Sequence, residues 1–355
     1  MSTEGRLRVA LLFGGRSGEH EVSLRSAASV MCALRQIHDV LPILIDRNGA
    51  WLLQDGEAPA ASGGTPVFLI PEPADKGRLR RTADASMVAA PDVYFPVLHG
   101  PYGEDGTIQG LFELAGVPYV GAGVAASAVG MDKELMKALF AAHGLPQAPY
   151  RILHGRDRAA EVEALGSLGL PLFVKPANLG SSVAVTKVKR ADALGAALDA
   201  ALQYDIKAIV EKAVVARELE VSVLGNESPE ASRPGEIVPD REFYDYDSKY
   251  SEASRTQLLL PAELPPAVEA EVRALGVAAF RAIDACGYAR VDFFLERDGA
   301  RLLVNEINTI PGFTSISMFP KLWEISGLPY ALLVGRLVQL GLERHAARGQ
   351  LRTGR

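Results

Sequence analysis

The chain has 355 residues, 48% hydrophobic and 23% charged, a globular composition with apolar material for more than one core, which excludes disordered and fibrous classes. Its net charge of −6 argues against a nucleic-acid surface, which is usually basic. No apolar run is long enough to span a bilayer and the start lacks a signal-peptide pattern, so a cytoplasmic protein without a membrane partner is expected. The two cysteines, Cys32 and Cys286, fall in apolar helix-like contexts and are expected in the core, unpaired, as in a reducing compartment.

In chain order, LRVALLF (7–13) predicts a buried strand, GGRSGEHE a Gly-rich turn, VSLRSAASVMCALRQ a helix and DVLPILID a second strand, which makes a β-α-β unit with a parallel sheet. A dinucleotide fold with Asp46 as its ribose acid is the rival for this unit. The glycine spacing is not G-x-G-x-x-G, however, and Glu19 would press negative charge towards a pyrophosphate. Residues 54–90, rich in Ala, Gly, Pro and Asp, are expected to form a variable surface insertion. DVYFPVLHG then predicts a strand, and PYGEDGTIQGLFELAGV a Gly-rich loop and helix that close a first domain at residue 123. A second domain, 124–213, runs from the helix MDKELMKALFAAHG through FVKPANLGSSVAV to KAIVEKAV. A third, 214–355, holds the strand RELEVSVLG, a polar loop at 240–255, a long helix and the hairpin RVDFFLERDGARLLVNEIN.

That hairpin poses a chemical question, because it carries Asp292, Glu306 and Asn308 where Val or Ile would pack better. Buried carboxylates without a positive partner cost several kcal/mol. Glu306 and Asn308 share one face, and a three-residue loop, Asp298-Gly299-Ala300, would bring Asp292 opposite Glu306. Three oxygen donors with open positions suit Mg²⁺ shared with nucleotide phosphates. The alternative is a structural network with Arg290 or lysines. In FVKPANLGSSVAV a strand delivers Lys175 beside a Gly-Ser-Ser loop whose backbone amides could receive an anion, although no Walker A sequence follows. Glu211, Lys212 and Glu218, taken alone, read as a surface charge cluster.

The motifs LLFGGRSGEHEVSLRSA, PVLHGPYGEDGTIQG, MDKELMK, FVKPANLGSSVAV, EFYDYDSKY, RVDFF and NEINTIPGFTSISMFP, in this order over residues 7–340, resemble those of the D-alanine–D-alanine ligase family of the ATP-grasp superfamily. The resemblance implies a three-domain α/β ATP-grasp fold with a Rossmann-like first domain. It also implies ATP-dependent joining of two D-alanines, through an acyl phosphate, to the dipeptide of peptidoglycan precursors, by a homodimer. Asp292, Glu306 and Asn308 would hold two Mg²⁺ ions, with Mn²⁺ as a substitute. Lys133 and Lys175 would contact phosphates under a loop carrying Ser181 and Ser182; Glu211 and Lys212 would clasp adenine and Glu218 the ribose. Glu19 would receive the first substrate's ammonium group, with His99 near its carboxylate. Arg290 and the Gly312 amide would stabilise the acyl phosphate and tetrahedral intermediate, while Ser317 and the Met318 backbone would bind the second carboxylate. Tyr244, Lys249 and Tyr250 would close over the site, and Glu19, Ser181 and Tyr250 would form a hydrogen-bonded chain. The family more often spaces the two hairpin acids one residue closer, so the turn is expected to carry the extra residue.

Overall fold

The computed structural model describes residues 5–180, 184–239, 256–297, 301–314 and 316–352. Ser181, Ser182, Tyr244, Lys249, Tyr250 and the hairpin turn Asp298-Gly299-Ala300 lie outside the described residues.

The apolar strand β1 (Arg8–Gly14) is buried along almost its whole length because it pairs in parallel with β2 (Asp39–Ile45) on one side and β7 (Val93–Pro96) on the other. Helix α1 (His20–Ile37) buries Val22, Ala27, Val30, Met31 and Leu34, a 3.6-residue spacing, against this sheet. Residues 54–90, expected to form a variable surface insertion, carry three strands. With β3 (Trp51–Leu53), the strands β4 (Thr65–Leu69), β5 (Leu79–Arg81) and β6 (Met87–Ala89) extend the sheet antiparallel to a seven-stranded order β6-β5-β4-β3-β2-β1-β7. Val67, Leu69 and Leu79 join its core, so three short apolar stretches outweigh the Ala/Gly/Pro composition around them. Asp46 accepts from the Asn48 and Ala50 amides at 2.8 Å, so it shapes a turn. Helix α2 (Thr107–Ala115) closes this region, and α3 (Val124–Met131) and α4 (Lys133–Ala142) lead out of it.

The second sheet is antiparallel, order β10-β9-β11-β8, from β8 (Tyr150–His154), β9 (Leu172–Pro176), β10 (Thr186–Val188) and β11 (Lys207–Lys212). Helices α5 (Arg158–Leu168) and α6 (Leu194–Ala201) cover its apolar face. The third has the order β15-β14-β12-β16-β17, with β13 (Glu230–Ala231) on β12. Its strands are β12 (Ala216–Gly225), β14 (Gly235–Val238), β15 (Gln257–Leu259), β16 (Gly287–Glu296) and β17 (Leu302–Asn308). Helix α7 (Pro266–Ala282) lies so close to it that a Cβ on Gly276 would stand 2.6 Å from Val221 Cγ2. Along β16 burial alternates, turning Val291, Phe293 and Leu295 to α7 and Arg290, Asp292 and Phe294 to the other face.

The last helices, α8 (Met318–Ile325) and α9 (Tyr330–Gly349), return to the first sheet. Phe319, Trp323, Leu333, Val334 and Leu337 share one core with Val9, Leu11, Phe13 and Phe95. Arg344 donates to the Tyr119 carbonyl at 3.2 Å and also to that of Gly121, and lies 3.9 Å from the Tyr119 ring centroid. The expectation for the cysteines needs correction. Cys32 is exposed on the outer side of α1, and Cys286 is half-buried with its sulfur 3.2 Å from Arg344. No single helix among the described residues is long and apolar enough to cross a membrane.

Candidate active site

In the hairpin Asp292 stands opposite Glu306, and Arg290 opposite Asn308. The device that achieves this is not the one expected. Phe293 pairs with Val304 and Leu295 with Leu302, so the register shifts by one between Asp292 and Phe293 and the extra residue is Asn305, in a β-bulge. Asn305 and Glu306 are therefore half-buried in succession, where regular alternation would bury one of them. Across the sheet Glu220 on β12 lies beside Asp292, so carboxylates of three adjacent strands line up on one face.

A positive charge does sit among them. Arg290 Nε and Nη2 donate to the two Asp292 oxygens at 2.7 Å each, and Nε lies 3.1 Å from Glu220 Oε2. Burial opposes the guanidinium's charge, but Asp292 and Glu220 outweigh it and hold its pKa above the ordinary arginine value. The structural pairing raised as the alternative is thus present for Asp292. Glu306 likewise faces Lys133 and Lys175, the lysine form of that alternative, and Asn308 Oδ1 accepts from the Ile310 amide at 3.0 Å.

Both lysines line a cleft of about 630 Å³ between the second and third sheets, together with Glu211, Lys212, Glu218, Asp292 and Glu306. Asp132 caps α4 by accepting from the Glu134 and Leu135 amides, which aims Lys133, the first helical residue, at the Leu179 carbonyl, 2.6 Å away. Burial depresses the pKa of Lys133. For Lys175 burial is outweighed by Glu211 and Glu306, and its pKa is raised. Lys175 pairs with Glu211, which also binds Lys137 at 2.8 Å. Lys212 donates to the Leu170 carbonyl at 2.8 Å. Glu211 is a buried hub, not part of a surface cluster.

The first sheet supplies the other end. Glu19 precedes α1 but does not cap it. Its carboxylate is buried, with Oε2 3.1 Å from where a Cβ on Gly100 would stand, and Gly100 has φ +78°. His99 spends both ring nitrogens: Nδ1 lies 2.9 Å from the Ile310 carbonyl and Nε2 3.0 Å from Ser26 Oγ. A carbonyl only accepts, which assigns the ring hydrogen to Nδ1. Burial lowers the His99 pKa, so a substrate carboxylate would meet a neutral ring already engaged. Ser26 Oγ also accepts from the Phe313 amide at 3.2 Å, tying His99 to the segment of Gly312. Ser317, just before α8, accepts from the Thr314 amide at 3.0 Å and does not cap the helix, leaving cap positions open to an anion. Gly180 joins the two ends. It lines the cleft, and a Cβ there would stand 3.7 Å from Glu19 Oε2 and 3.6 Å from Glu104 Oε1.

Glu104, Glu220 and Lys137 belong to this constellation and escape the residue-level sequence reading. Lys137 follows Lys133 by four on one helix, and Glu220 follows Glu218 by two on one strand; both spacings were available as signals. The donor set fits Mg²⁺. It offers two facing carboxylates and an amide oxygen, while no group of three or more His, Cys, Asp or Glu among the described residues forms a cage. Phosphate oxygens would have to complete the coordination, as for a nucleotide-bound ion.

A Rossmann-like first sheet and two further sheets that grip a cleft lined by lysines over carboxylates define an ATP-grasp enzyme. Sequence profiles of the D-ala D-ala ligase N-terminus and C-terminus match residues 8–122 and 139–339. A D-alanine--D-alanine ligase of Heliobacterium modesticaldum is 52% identical over 351 residues, covering 95% of each chain. The solved D-alanine-D-alanine ligase of Coxiella burnetii superposes with a TM-score of 0.86 at 35% identity, over 97% of this chain and 96% of that one. The VanG D-Ala:D-Ser ligase of Enterococcus faecalis gives 0.85 at 33%, over 95% and 100%. The chain belongs to the D-alanine–D-alanine ligase family, and it is an ATP-dependent ligase.

Proposed function

We propose that this chain joins two D-alanines to D-alanyl-D-alanine for peptidoglycan precursors, with release of ADP and phosphate, in the cytoplasm and as a homodimer. The carrying observation is that Lys133, Lys175, Asp292 and Glu306 line one cleft whose wall at Gly180 has its Cβ position 3.7 Å from Glu19 Oε2. The second and third domains, 124–213 and 214–355, hold ATP, and the first, 1–123, holds the first D-alanine.

Glu211 and Lys212 receive adenine and Glu218 the ribose. Lys133 and Lys175 neutralise phosphate charge beneath Ser181 and Ser182. Asp292, Glu306 and Asn308 hold two Mg²⁺ ions, or Mn²⁺, which when bound offset the charge of the phosphate oxygens. Glu19 binds the first ammonium group and His99 borders its carboxylate, which takes the γ-phosphoryl group of ATP to give an acyl phosphate. The deprotonated amine of the second D-alanine attacks the carbonyl carbon, the C–N bond forms and the C–O bond to phosphate breaks. Asp292 fixes the plane of Arg290 by a bidentate bond, so that the guanidinium and the Gly312 amide meet the developing oxyanion without reorganisation. Ser317 and the Met318 amide hold the second carboxylate. Tyr244, Lys249 and Tyr250 exclude water, and Tyr250 completes a chain with Ser181 and Glu19.

Phosphate release from ATP with D-alanine, D-serine or D-lactate as sole or competing acceptor tests this. D-alanyl-D-alanine should dominate at neutral pH. A mixed D-Ala-D-Ser product or a depsipeptide in excess would refute the acceptor assignment, and D-alanine-independent ATP turnover would refute the reaction.

A further inference from the structure

Glu104 lies in the loop between β7 and α2 and is only 8% exposed, yet the functional reading above gives it no task. Its Oε1 accepts from the Gly100 amide at 2.9 Å. The same oxygen and Glu19 Oε2 both lie within 4 Å of one point, the Cβ position of Gly180, so two buried carboxylates converge on the pocket assigned to the first ammonium group. Among the described residues, the other charged or titratable groups that face the pair are Lys133 from α4, Arg290 and Tyr288 from β16, and His99 from the same loop as Glu104. Arg290 and Lys133 pull the Glu104 carboxyl down, but by less than burial and Glu19 push it up. Lys133 is bound to the Leu179 carbonyl, Arg290 is shared between Asp292 and Glu220, and His99 is kept neutral by burial.

We propose that Glu104 is a positioning residue for the first substrate: it holds a proton in the free enzyme and releases it to solvent when the substrate's ammonium group settles against Glu19. Two like charges in one dry site cannot both be expressed until a cation joins them. Burial first, and Glu19 second, push the Glu104 carboxyl up to about 8. The incoming ammonium group reverses that balance, so the substrate meets one carboxylate and leaves two behind it, gripped more tightly as the proton departs. Proton release on binding makes affinity rise with pH over the range in which Glu104 is protonated in the free enzyme. The amino group of D-alanine stays protonated throughout that range and does not contribute.

The proposal rests on the assignment of Glu19 to the ammonium group, and the test separates the two. D-alanine is titrated calorimetrically into the full chain with ADP and Mg²⁺, in buffers of different ionisation enthalpy, from pH 6 to pH 8. The wild type should release part of a proton at the first site and bind about tenfold more tightly at pH 8 than at pH 6, one pKa unit being a factor of ten. Glu104→Gln should match the wild type at pH 6, lose the proton release and lag at pH 8. Glu104→Asp, which keeps a carboxyl group, should restore the release, an outcome a merely structural role would not give. Binding without proton release in the wild type, or an unchanged slope in Glu104→Gln, overturns the proposal. Unchanged first-site affinity in Glu19→Gln would instead overturn the Glu19 assignment and the proposal with it.

Discussion

Lys137 Nζ and Glu211 Oε1 meet at 2.8 Å with 2% and 7% of their side chains exposed, and the same ammonium group lies 3.4 Å from the carbonyl of Asn305, the bulge residue. One buried lysine therefore joins the hub under the cleft to the kink that turns Glu306 towards it. Lys137→Met keeps the volume and removes the charge. Glu211 retains Lys175, so stability should fall by about 3 kcal/mol, the low end for breaking a buried pair. Urea unfolding checks this, and KM for ATP should rise while KM for D-alanine stays unchanged.

Two carboxyls shape the pH dependence of stability in opposite senses. Burial raises the pKa of Glu211, but Lys137 and Lys175 outweigh it and leave the pKa well below the carboxylate range. Its contribution is present above the unfolded value of about 4.3 and is lost as pH falls. Glu104, raised to about 8, favours the folded state at low pH and loses that contribution as pH rises through this value. Chemical denaturation from pH 3 to 9 should show both slopes, and Glu104→Gln should remove the alkaline one.

Glu306→Gln keeps the shape of the hairpin and removes one charge from a row of three acids. Turnover at saturating Mg²⁺ should fall by about a hundredfold or more, with the melting temperature unchanged or lowered, because the charge that faces Lys133 and Lys175 is lost while crowding with Asp292 is relieved. Coupled phosphate release and thermal unfolding on one preparation decide it. Near-normal turnover would remove Glu306 from the metal set.

Ser317→Ala leaves α8 intact, since Ser317 makes no side-chain cap. It removes the hydroxyl that accepts from Thr314 and is assigned to the second carboxylate. A lost hydrogen bond to a charged group, worth about 1.5–3 kcal/mol, predicts a second-site KM raised by roughly ten- to a hundredfold. Initial rates over a wide D-alanine range resolve the two sites and should show the first unaffected.

The pattern of β16 and β17 made the paired acids legible in the sequence, because carboxylates inside apolar strands violate the rule that fills a core. Lys175 was legible because a strand delivers it beside a glycine loop whose amides can receive an anion. The bulge was not, since an extra residue in a hairpin can enter at the turn or along the strand, and here the contact of Lys137 with the Asn305 carbonyl accompanies the strand solution. Glu104 drew no reading of its own, because Gly180, whose Cβ position lies 3.6 Å from its Oε1, is distant in the sequence. Cys32 misled in another way. Its neighbours in α1 are buried, but its own position points outwards.

The shared core of Val9, Leu11, Phe13 and Phe95 with Phe319, Trp323, Leu333 and Leu337 has a consequence for synthesis. The first sheet leaves the ribosome before α8 and α9, yet one of its faces is covered by those later helices. During translation that face has nothing of its own to lie against, and domains that expose apolar surface while waiting are prone to misassembly. The substrate pocket of the first sheet should therefore be completed only once α8 and α9 have been made and dock, with Arg344 fastening them to the carbonyls of Tyr119 and Gly121.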